Sequence, residues 1–165
     1  MIKEVSGDIL LTDAQVIACG IAPGDHMDAG LAMALRRQWP ALARDFRHYC
    51  HTSHPKLGEA WLWSAANGQR IATLLTHDAA PGQHGAGRPG RAHVESVNHA
   101  LRVLRALAES EPFTSLALPK LSTGSGGLSW DQVRPLIVRH LGDLSIPITI
   151  YAAYHQGQPA AELRA

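Results

Sequence analysis

Two hydrophobic patterns alternate along this chain. Short apolar or alternating runs, the usual length of a β-strand, recur six times and are separated by turn residues. They predict strands at residues 2–5, 16–20, 60–64, 71–76, 115–118 and 146–151. Asn67-Gly68 lies between the third and fourth runs. Because this dipeptide is the strongest short hairpin signal, we expect those two strands to pair in antiparallel fashion.

Four intervening stretches place apolar residues every three or four positions, which is the pattern of an amphipathic helix. The first two predict helices at residues 31–39 and 42–50. The fourth begins at Ser129, which forms a capping-box pattern with Gln132, and Gly142 is a plausible C-terminal stop. The buried positions of the last two helices are Val94, Val97, Leu101, Leu104 and Leu107, and then Val133, Ile137 and Leu141.

Strands that alternate with helices predict an α/β protein whose helices cover both faces of the sheet. Ligands of such proteins usually bind at the loops along one edge of the sheet. Residues 79–91 form the only long loop-like tract and contain four glycines and two prolines. A loop of this length in a compact domain is usually functional or mobile.

Composition limits the possible classes of protein. The chain has 165 residues, 45% of them hydrophobic and 18% charged, which fits one globular domain. The net charge of +1 gives no electrostatic argument for nucleic-acid or membrane binding. No apolar run approaches the length of a membrane span, no signal-peptide pattern is present, and Cys19 and Cys50 do not make a disulfide framework. We therefore expect a cytoplasmic protein, with a tail after about Gln156 that composition alone suggests is dispensable.

The segment Ser122-Thr123-Gly124-Ser125-Gly126-Gly127-Leu128 is the first candidate for chemistry. It joins a predicted strand to a capped helix, an arrangement that directs consecutive backbone N–H groups toward an anion. It is neither a Walker A loop nor the dinucleotide fingerprint G-x-G-x-x-G. Taken alone, it is also compatible with a flexible connector.

Two further segments favour the anion-site interpretation over the flexible connector. Gly7-Asp8-Ile9-Leu10 follows the first predicted strand, and the loop at residues 23–32 leads from the second strand into a helix. Together with the Gly-rich segment they resemble the macrodomain family. The similarity extends from residue 7 to residue 151.

The resemblance is closest to the branch that includes the terminal ADP-ribose protein glycohydrolase and the antitoxins that reverse DNA ADP-ribosylation. Residues 27–32 (Met-Asp-Ala-Gly-Leu-Ala) are similar to its M-G-x-G-I-A motif. Residues 118–130 are similar to its L-P-R-[IL]-G-x-G-L-x-x-L-x-W motif. Gly58-Glu59 before the third strand also matches this branch.

The resemblance implies a three-layer α/β/α macrodomain with a mixed central sheet of about six strands over residues 1–155, followed by a tail at 156–165. It also implies ADP-ribose binding, with no cofactor. Asp8 would accept a hydrogen bond from the adenine amino group, the Ile9 backbone would contact the ring, and Tyr154 would pack on adenine. Asp8 as a turn cap and Tyr154 as an ordinary surface residue are the alternatives. The diphosphate and distal ribose would contact Ala29, Gly30 and Leu31, and Ser122, Thr123, Gly124, Ser125, Gly126, Gly127 and Leu128 would wrap the diphosphate.

This chain has different residue types at the positions of this branch's catalytic residues. Its glycohydrolases use a lysine after the fourth strand, where this chain has His77, and the human-type enzyme uses an aspartate where this chain has Gly126. His77 could act as general base or acid, and the carboxylate of Asp28 could orient water or substrate, with Asp25 or His26 as further candidates. His77 at a strand end and Asp28 at a helix N-terminus are equally compatible with a reader that only binds.

Three functions therefore remain open: an ADP-ribosyl hydrolase, a non-catalytic ADP-ribose reader, and an unrelated phosphate- or nucleotide-binding α/β protein. The partner would be ADP-ribose or an ADP-ribosylated protein, nucleic acid or small molecule, and we expect a monomer that does not bind membranes. His48, Cys50, His51 and His54 lie close together, and positions 48 and 51 could share a helix face. Structural zinc usually needs four ligands, and the second pair would have to be found elsewhere in the chain. We interpret them as a solvated or structural cluster and expect no metal.

Overall fold

The computed structural model describes residues 1–79 and 89–162, without the side chain of Pro89. Within these described residues, four α-helices and eight strands form, together with one 3₁₀ turn at Ile9–Leu11. The strands are β1 (Ile2–Gly7), β2 (Val16–Ile21), β3 (Ala60–Ser64), β4 (Arg70–Leu75), β5 (His77–Ala79), β6 (Pro89–Ala92), β7 (Leu116–Pro119) and β8 (Ile148–Tyr154). The helices are α1 (Gly30–Gln38), α2 (Pro40–Ser53), α3 (Val94–Ser110) and α4 (Trp130–Leu141).

Six strands form one mixed sheet in the order β1-β8-β7-β2-β4-β3. All neighbours are parallel except β3 and β4, which pair antiparallel as Asn67-Gly68 predicts. Both the mixed sheet of six strands and the hairpin are therefore confirmed. The short ribbon β5-β6 was not predicted, and most of the predicted loop at 79–91 lies outside the described residues.

The two faces of the sheet are covered by different helix pairs. Successive side chains of a strand point to opposite faces, so Val16 and Ala18 of β2 pack in one cluster and Ile17 and Cys19 in the other. Helices α3 and α4 cover the first face, and α1 and α2 cover the second. This is the predicted three-layer α/β/α arrangement.

Local end signals define most of the helix boundaries. The first helix, predicted at residues 31–39, ends at Gln38, and Pro40 begins the second, where the missing proline N–H costs no hydrogen bond. The Ser129 N–H donates to Gln132 Oε1 at 3.1 Å, which confirms the predicted capping box. Gly142 ends α4 as predicted, although in the right-handed conformation. None of the described helices is long and apolar enough to cross a membrane.

The segment after Gln156 is bonded to the body of the domain. The Gly157 N–H donates to Asp8 Oδ2 at 2.9 Å, and the Asp8 N–H donates to the carbonyl of Gln158 at 2.8 Å. Glu162 accepts a further hydrogen bond from Thr12 Oγ1 at 2.7 Å. The expectation of a dispensable tail therefore has no support in these contacts.

Candidate functional site

Two adjoining cavities open where the loops after the parallel strands meet. The histidine cavity, of about 330 Å³, is lined by residues that include His77, Asp25 and the Gly-rich segment. The tyrosine cavity, of about 680 Å³, is lined by residues that include Asp8, Tyr151 and Tyr154. Gly30, Leu31 and Pro119 line both cavities, so the two form one continuous cleft. Its position at the carboxyl edge of the sheet is the usual ligand position of α/β folds.

Helix α1 presents its N-terminus to the histidine cavity. The N–H groups of Gly30, Leu31 and Ala32 belong to the first turn of the helix, where no intrahelical acceptor exists. The preceding residue is Ala29, which has no side chain able to cap them. All four residues line the cavity. A helix N-terminus with unpaired donors favours an anion at this wall.

The Gly-rich segment supplies a second row of donors. Gly124, Ser125 and Gly126 line the same cavity, and within the described part of the chain their N–H groups have no acceptor. Ser122 adopts the left-handed conformation (φ 61°), which is uncommon for a residue with a side chain. Its hydroxyl lies 2.8 Å from Thr76 Oγ1, and its carbonyl accepts from the Leu128 N–H, so both contacts hold the turn. Two rows of N–H donors thus face one cavity from separate elements.

The remaining predicted members of the segment do not line this cavity. Thr123 Oγ1 donates to the carbonyl of Lys120 at 2.8 Å, inside the loop. Gly127 is exposed and its N–H donates to the Gly124 carbonyl, while the side chain of Leu128 packs against the core. These three residues shape the loop, and Ser122, Gly124, Ser125 and Gly126 form its inner surface.

His77 is buried, with 4% of its surface exposed, yet it lines the histidine cavity. Its Nδ1 lies 3.0 Å from Thr76 Oγ1, and its ring lies close to the backbones of Gly20 and Gly126. Burial lowers the pKa of His77, and the Ile21 carbonyl offsets this only in part. The imidazole is therefore mainly neutral at pH 7, the form that can accept a proton.

Gly126 has no room for a side chain. A Cβ there would lie 2.5 Å from the Ser122 carbonyl oxygen, 2.7 Å from His77 Nε2 and 2.8 Å from Ala92 Cβ. These separations are shorter than real carbon contacts allow. Because His77 fills this space, an aspartate at position 126 could not be accommodated without displacing the imidazole.

A Gly126→Ala variant should therefore be less stable than the wild type by about 1–3 kcal/mol, the usual cost of overpacking a close contact. Denaturant unfolding would measure the difference. Gly124→Ala is the matched control, since a Cβ at Gly124 meets no atom within 4 Å. Equal stability of the two variants would contradict the close contact between Gly126 and His77.

The acidic residues of the first loop occupy different environments. Asp25 is buried, lines the histidine cavity and accepts a hydrogen bond from the Met27 N–H at 2.8 Å. Burial raises the pKa of the Asp25 carboxyl, and the Met27 N–H opposes that change. Asp28 is exposed and lines neither cavity. His26 is also exposed and lines neither cavity, and its carbonyl accepts a hydrogen bond from Arg36 Nη1 at 3.0 Å. Of these three candidates, the structure brings only Asp25 into the cavity with His77.

Asp8 is both a cap and a cavity residue. Its Oδ1 accepts from the Leu10 N–H at 3.0 Å, which is the turn-cap role, and its Oδ2 accepts from Gly157. The carboxylate is 5% exposed and lines the tyrosine cavity with Ile9. The Ile9 N–H has no acceptor among the residues described. Tyr154, 60% exposed, lines the same cavity and leaves a ring face accessible.

Several residues of the cleft were not singled out from the sequence. Thr76 links His77 to Ser122, and Pro119 lies between the two cavities. Gln156 lines the tyrosine cavity from the segment expected to be a tail. Position next to His77 was the signal for Thr76, and Pro119 matches the proline of the family's L-P-R motif; Gln156 carried no signal. Over residues 1–79 and 89–162, no group of three or more His, Cys, Asp or Glu side chains is arranged to hold a metal ion.

The comparisons with known proteins agree on one family. The sequence profile of the Macro domain matches residues 25–137, more than half of the chain. A DNA ADP-ribosyl transferase–DNA ADP-ribosyl glycohydrolase fusion protein of Thermosipho africanus is 26% identical over 96% of this chain. That match covers 44% of the fusion protein, and the chain spans less than half the length of the curated relatives it matches.

Solved structures show the same fold. The macrodomain of Thermus aquaticus DarG superposes with a TM-score of 0.78 at 20% identity, covering 92% of this chain and 98% of the other. Thermosipho africanus DarTG in complex with ADP-ribose gives a TM-score of 0.77 at 23% identity, covering 96% and 42%. At these identities the superpositions establish the fold.

Proposed function

Because this chain belongs to the macrodomain family, we propose that it binds ADP-ribose along the cleft and releases ADP-ribosyl groups from a modified macromolecule or metabolite by hydrolysis. The observation that carries this proposal is the pair of N–H rows, from α1 and from the Gly-rich segment, that face the histidine cavity. A diphosphate needs such donors on two sides. The adjoining tyrosine cavity is large enough for an adenosine group.

The adenine end of the ligand would lie in the tyrosine cavity. Asp8 would accept a hydrogen bond from the adenine amino group, the free Ile9 N–H would contact the ring edge, and Tyr154 would stack on its face. The distal ribose would then lie deep in the histidine cavity, next to His77 and Asp25. This orientation follows from the order of the two cavities along the cleft.

His77 is the residue we assign to chemistry. A water oxygen would attack the anomeric carbon of the distal ribose as the bond from that carbon to the modified group breaks, and the bonding electrons would leave with that group. The neutral imidazole would accept the proton released by the water. Burial favours this neutral form, and the Thr76 hydroxyl beside Nδ1 orients the ring.

ADP-ribosylated DNA is the first substrate to test, because the relatives from Thermosipho africanus and from Mycobacterium bear the name DNA ADP-ribosyl glycohydrolase. The protein and small-molecule linkages remain part of the proposal. A monomer in the cytoplasm is the form in which we expect this chain to act.

A reader that binds without turnover is the second candidate function. It is favoured by one specific observation: Gly126 cannot be replaced by the carboxylate that the human-type enzyme carries in this loop, because His77 fills the space. In that case His77 would only shape the end of the cavity.

Titration calorimetry with ADP-ribose tests the binding proposal directly. We expect saturable one-to-one binding, and no heat at high micromolar concentrations would refute ADP-ribose recognition in favour of another phosphate ligand. Incubation with substrates ADP-ribosylated on thymidine, glutamate and arginine then separates the two candidates. Release of ADP-ribose from any of them supports hydrolysis, and release from none supports the reader.

A further inference from the structure

The C-terminal segment at residues 155–162, here named the C-terminal clasp, follows the Gly7–Asp13 stretch closely. The His155 N–H donates to the Gly7 carbonyl at 3.0 Å, and the Asp8 N–H donates to the Gln158 carbonyl at 2.8 Å. At its far end, Glu162 accepts from Thr12 Oγ1 at 2.7 Å and from the Asp13 N–H at 2.9 Å. Both ends of the clasp are thus anchored to the stretch that forms one wall of the tyrosine cavity.

The clasp and the Gly7–Asp13 stretch are closely packed as well as hydrogen-bonded. A Cβ added to Gly7 would lie 2.8 Å from the Gln158 carbonyl oxygen and 3.0 Å from Ala160 Cβ. The clasp therefore packs against Gly7 without a gap. This packing holds the backbone between β8 and Glu162 at a defined distance from Asp8.

The clasp fixes the orientation of the Asp8 carboxylate. Oδ2 accepts from the Gly157 N–H at 2.9 Å, while Oδ1 accepts from the Leu10 N–H at 3.0 Å. Each oxygen keeps capacity for a second donor, because a carboxylate offers about four acceptor positions. Without Gly157, only one of the two oxygens would have a fixed partner.

The clasp also brings a new polar side chain to the cavity. Gln156 lines the tyrosine cavity, is exposed, and makes no hydrogen bond within the described residues. A primary amide combines a donor and an acceptor, which matches the amino group and a neighbouring ring nitrogen of adenine. Hypoxanthine carries an oxygen where adenine has that amino group. The Gln156 amide, which no described residue fixes, can rotate by 180° and pair with either base, so it adds affinity, whereas the fixed Asp8 carboxylate only accepts and therefore discriminates against that oxygen.

We propose that the C-terminal clasp determines base specificity: Gly157 positions the Asp8 carboxylate, which distinguishes an amino group from an oxygen, Gln156 adds a hydrogen bond to the purine edge, and the Glu162 contacts keep both in place. This inference rests on the proposed binding of ADP-ribose, and it makes the C-terminal segment part of the binding site. The ligand class is a nucleoside diphosphate sugar with adenine as its base.

Two variants test the clasp by calorimetry with ADP-ribose and with its hypoxanthine analogue. Glu162→Ala removes the far anchor, and Gln156→Ala removes the amide. Each should weaken ADP-ribose binding by about three- to tenfold, the equivalent of one hydrogen bond. Glu162→Ala should also lower the ratio of adenine to hypoxanthine affinity, which a general loss of stability would leave unchanged. Gln156→Ala should weaken the binding of both ligands and leave that ratio as it is.

Glu109→Ala is the matched control. It removes a glutamate that pairs with Arg105 on α3, away from the cleft, and it should change neither the affinity nor the ratio. Gln156→Ala should also keep the wild-type melting temperature, because the side chain has no partner within the described part of the chain.

The outcomes separate the two proposals. Wild-type protein that binds ADP-ribose with an adenine preference that Glu162→Ala leaves unaffected, or with no adenine preference, would overturn the clasp and leave the proposed function standing. Wild-type protein that does not bind ADP-ribose would overturn the proposed function, and the clasp's assigned ligand with it.

Discussion

Gly124→Glu should weaken ADP-ribose binding by about 100-fold or more, because like charges juxtaposed in a binding site cost several kcal/mol. Gly124 lines the histidine cavity between the donors assigned to the diphosphate. A carboxylate there would accept the Ser125 and Gly126 N–H groups itself and would repel the phosphates. Calorimetry with ADP-ribose measures the loss.

Gly124→Glu tests binding separately from stability, because the substitution should not impair folding. A Cβ at Gly124 meets no atom within 4 Å, so the new side chain can extend into the open cleft. Gly124→Gln is the matched control, with nearly the same size and no charge, and it should bind substantially more tightly than Gly124→Glu. Retained affinity in Gly124→Glu, with an unchanged melting temperature, would refute the position assigned to the diphosphate.

His77→Ala should lower the rate of ADP-ribose release by about 100-fold or more, within the usual contribution of a general base. ADP-ribose affinity should change far less, since the N–H donors of α1 and the Gly-rich segment remain. Single-turnover release from ADP-ribosylated DNA, or from whichever substrate the wild type accepts, measures the rate, and calorimetry measures the affinity.

The pH profile gives the same assignment a second test. Burial lowers the pKa of His77 from its ordinary value of 6.5, so the neutral form that accepts a proton predominates at pH 7. The wild-type rate should therefore be level at neutral pH and fall as the pH drops through the lowered pKa. A rate that rises on acidification would contradict the role of general base.

Asp28→Ala tests whether the second predicted catalytic residue takes part in the reaction with His77. The sequence favoured Asp28 as the second catalytic residue, but Asp28 is exposed and lines neither cavity, whereas Asp25 is buried beside the same cavity as His77. We therefore expect Asp28→Ala to retain most of the wild-type rate. A loss as large as that of His77→Ala would show that the first loop closes over the substrate.

Much of the fold could be predicted from the sequence because the signals were local. Six apolar runs became the six strands of the sheet, and Asn67-Gly68 correctly marked its antiparallel pair. The capping box at Ser129 also formed as predicted. The ribbon β5-β6 was missed, since two short polar strands carry no hydrophobic pattern of their own.

The candidate site could likewise be predicted only in part. The Gly-rich segment could be singled out from residue type and order, and the start of α1 from its similarity to a family motif; both segments line the histidine cavity. The burial of Asp25 and the exposure of Asp28, only three positions apart, depend on how the first loop turns against the sheet. The hydrophobic periodicity of the sequence gives no information about how that loop turns.

By itself, the sequence determined the α/β/α layers, the order of strands and helices, and the Gly-rich connection between β7 and α4. Only the tertiary structure decided that His77 packs against Gly126, and that the last described residues bond to Asp8 and Thr12 near the other end of the chain. The physical reason is the separation along the sequence between the residues that interact. Hydrophobic periodicity and unpaired N–H groups are properties of a short segment, whereas a close approach or a contact across about 150 residues exists only once distant segments have packed together.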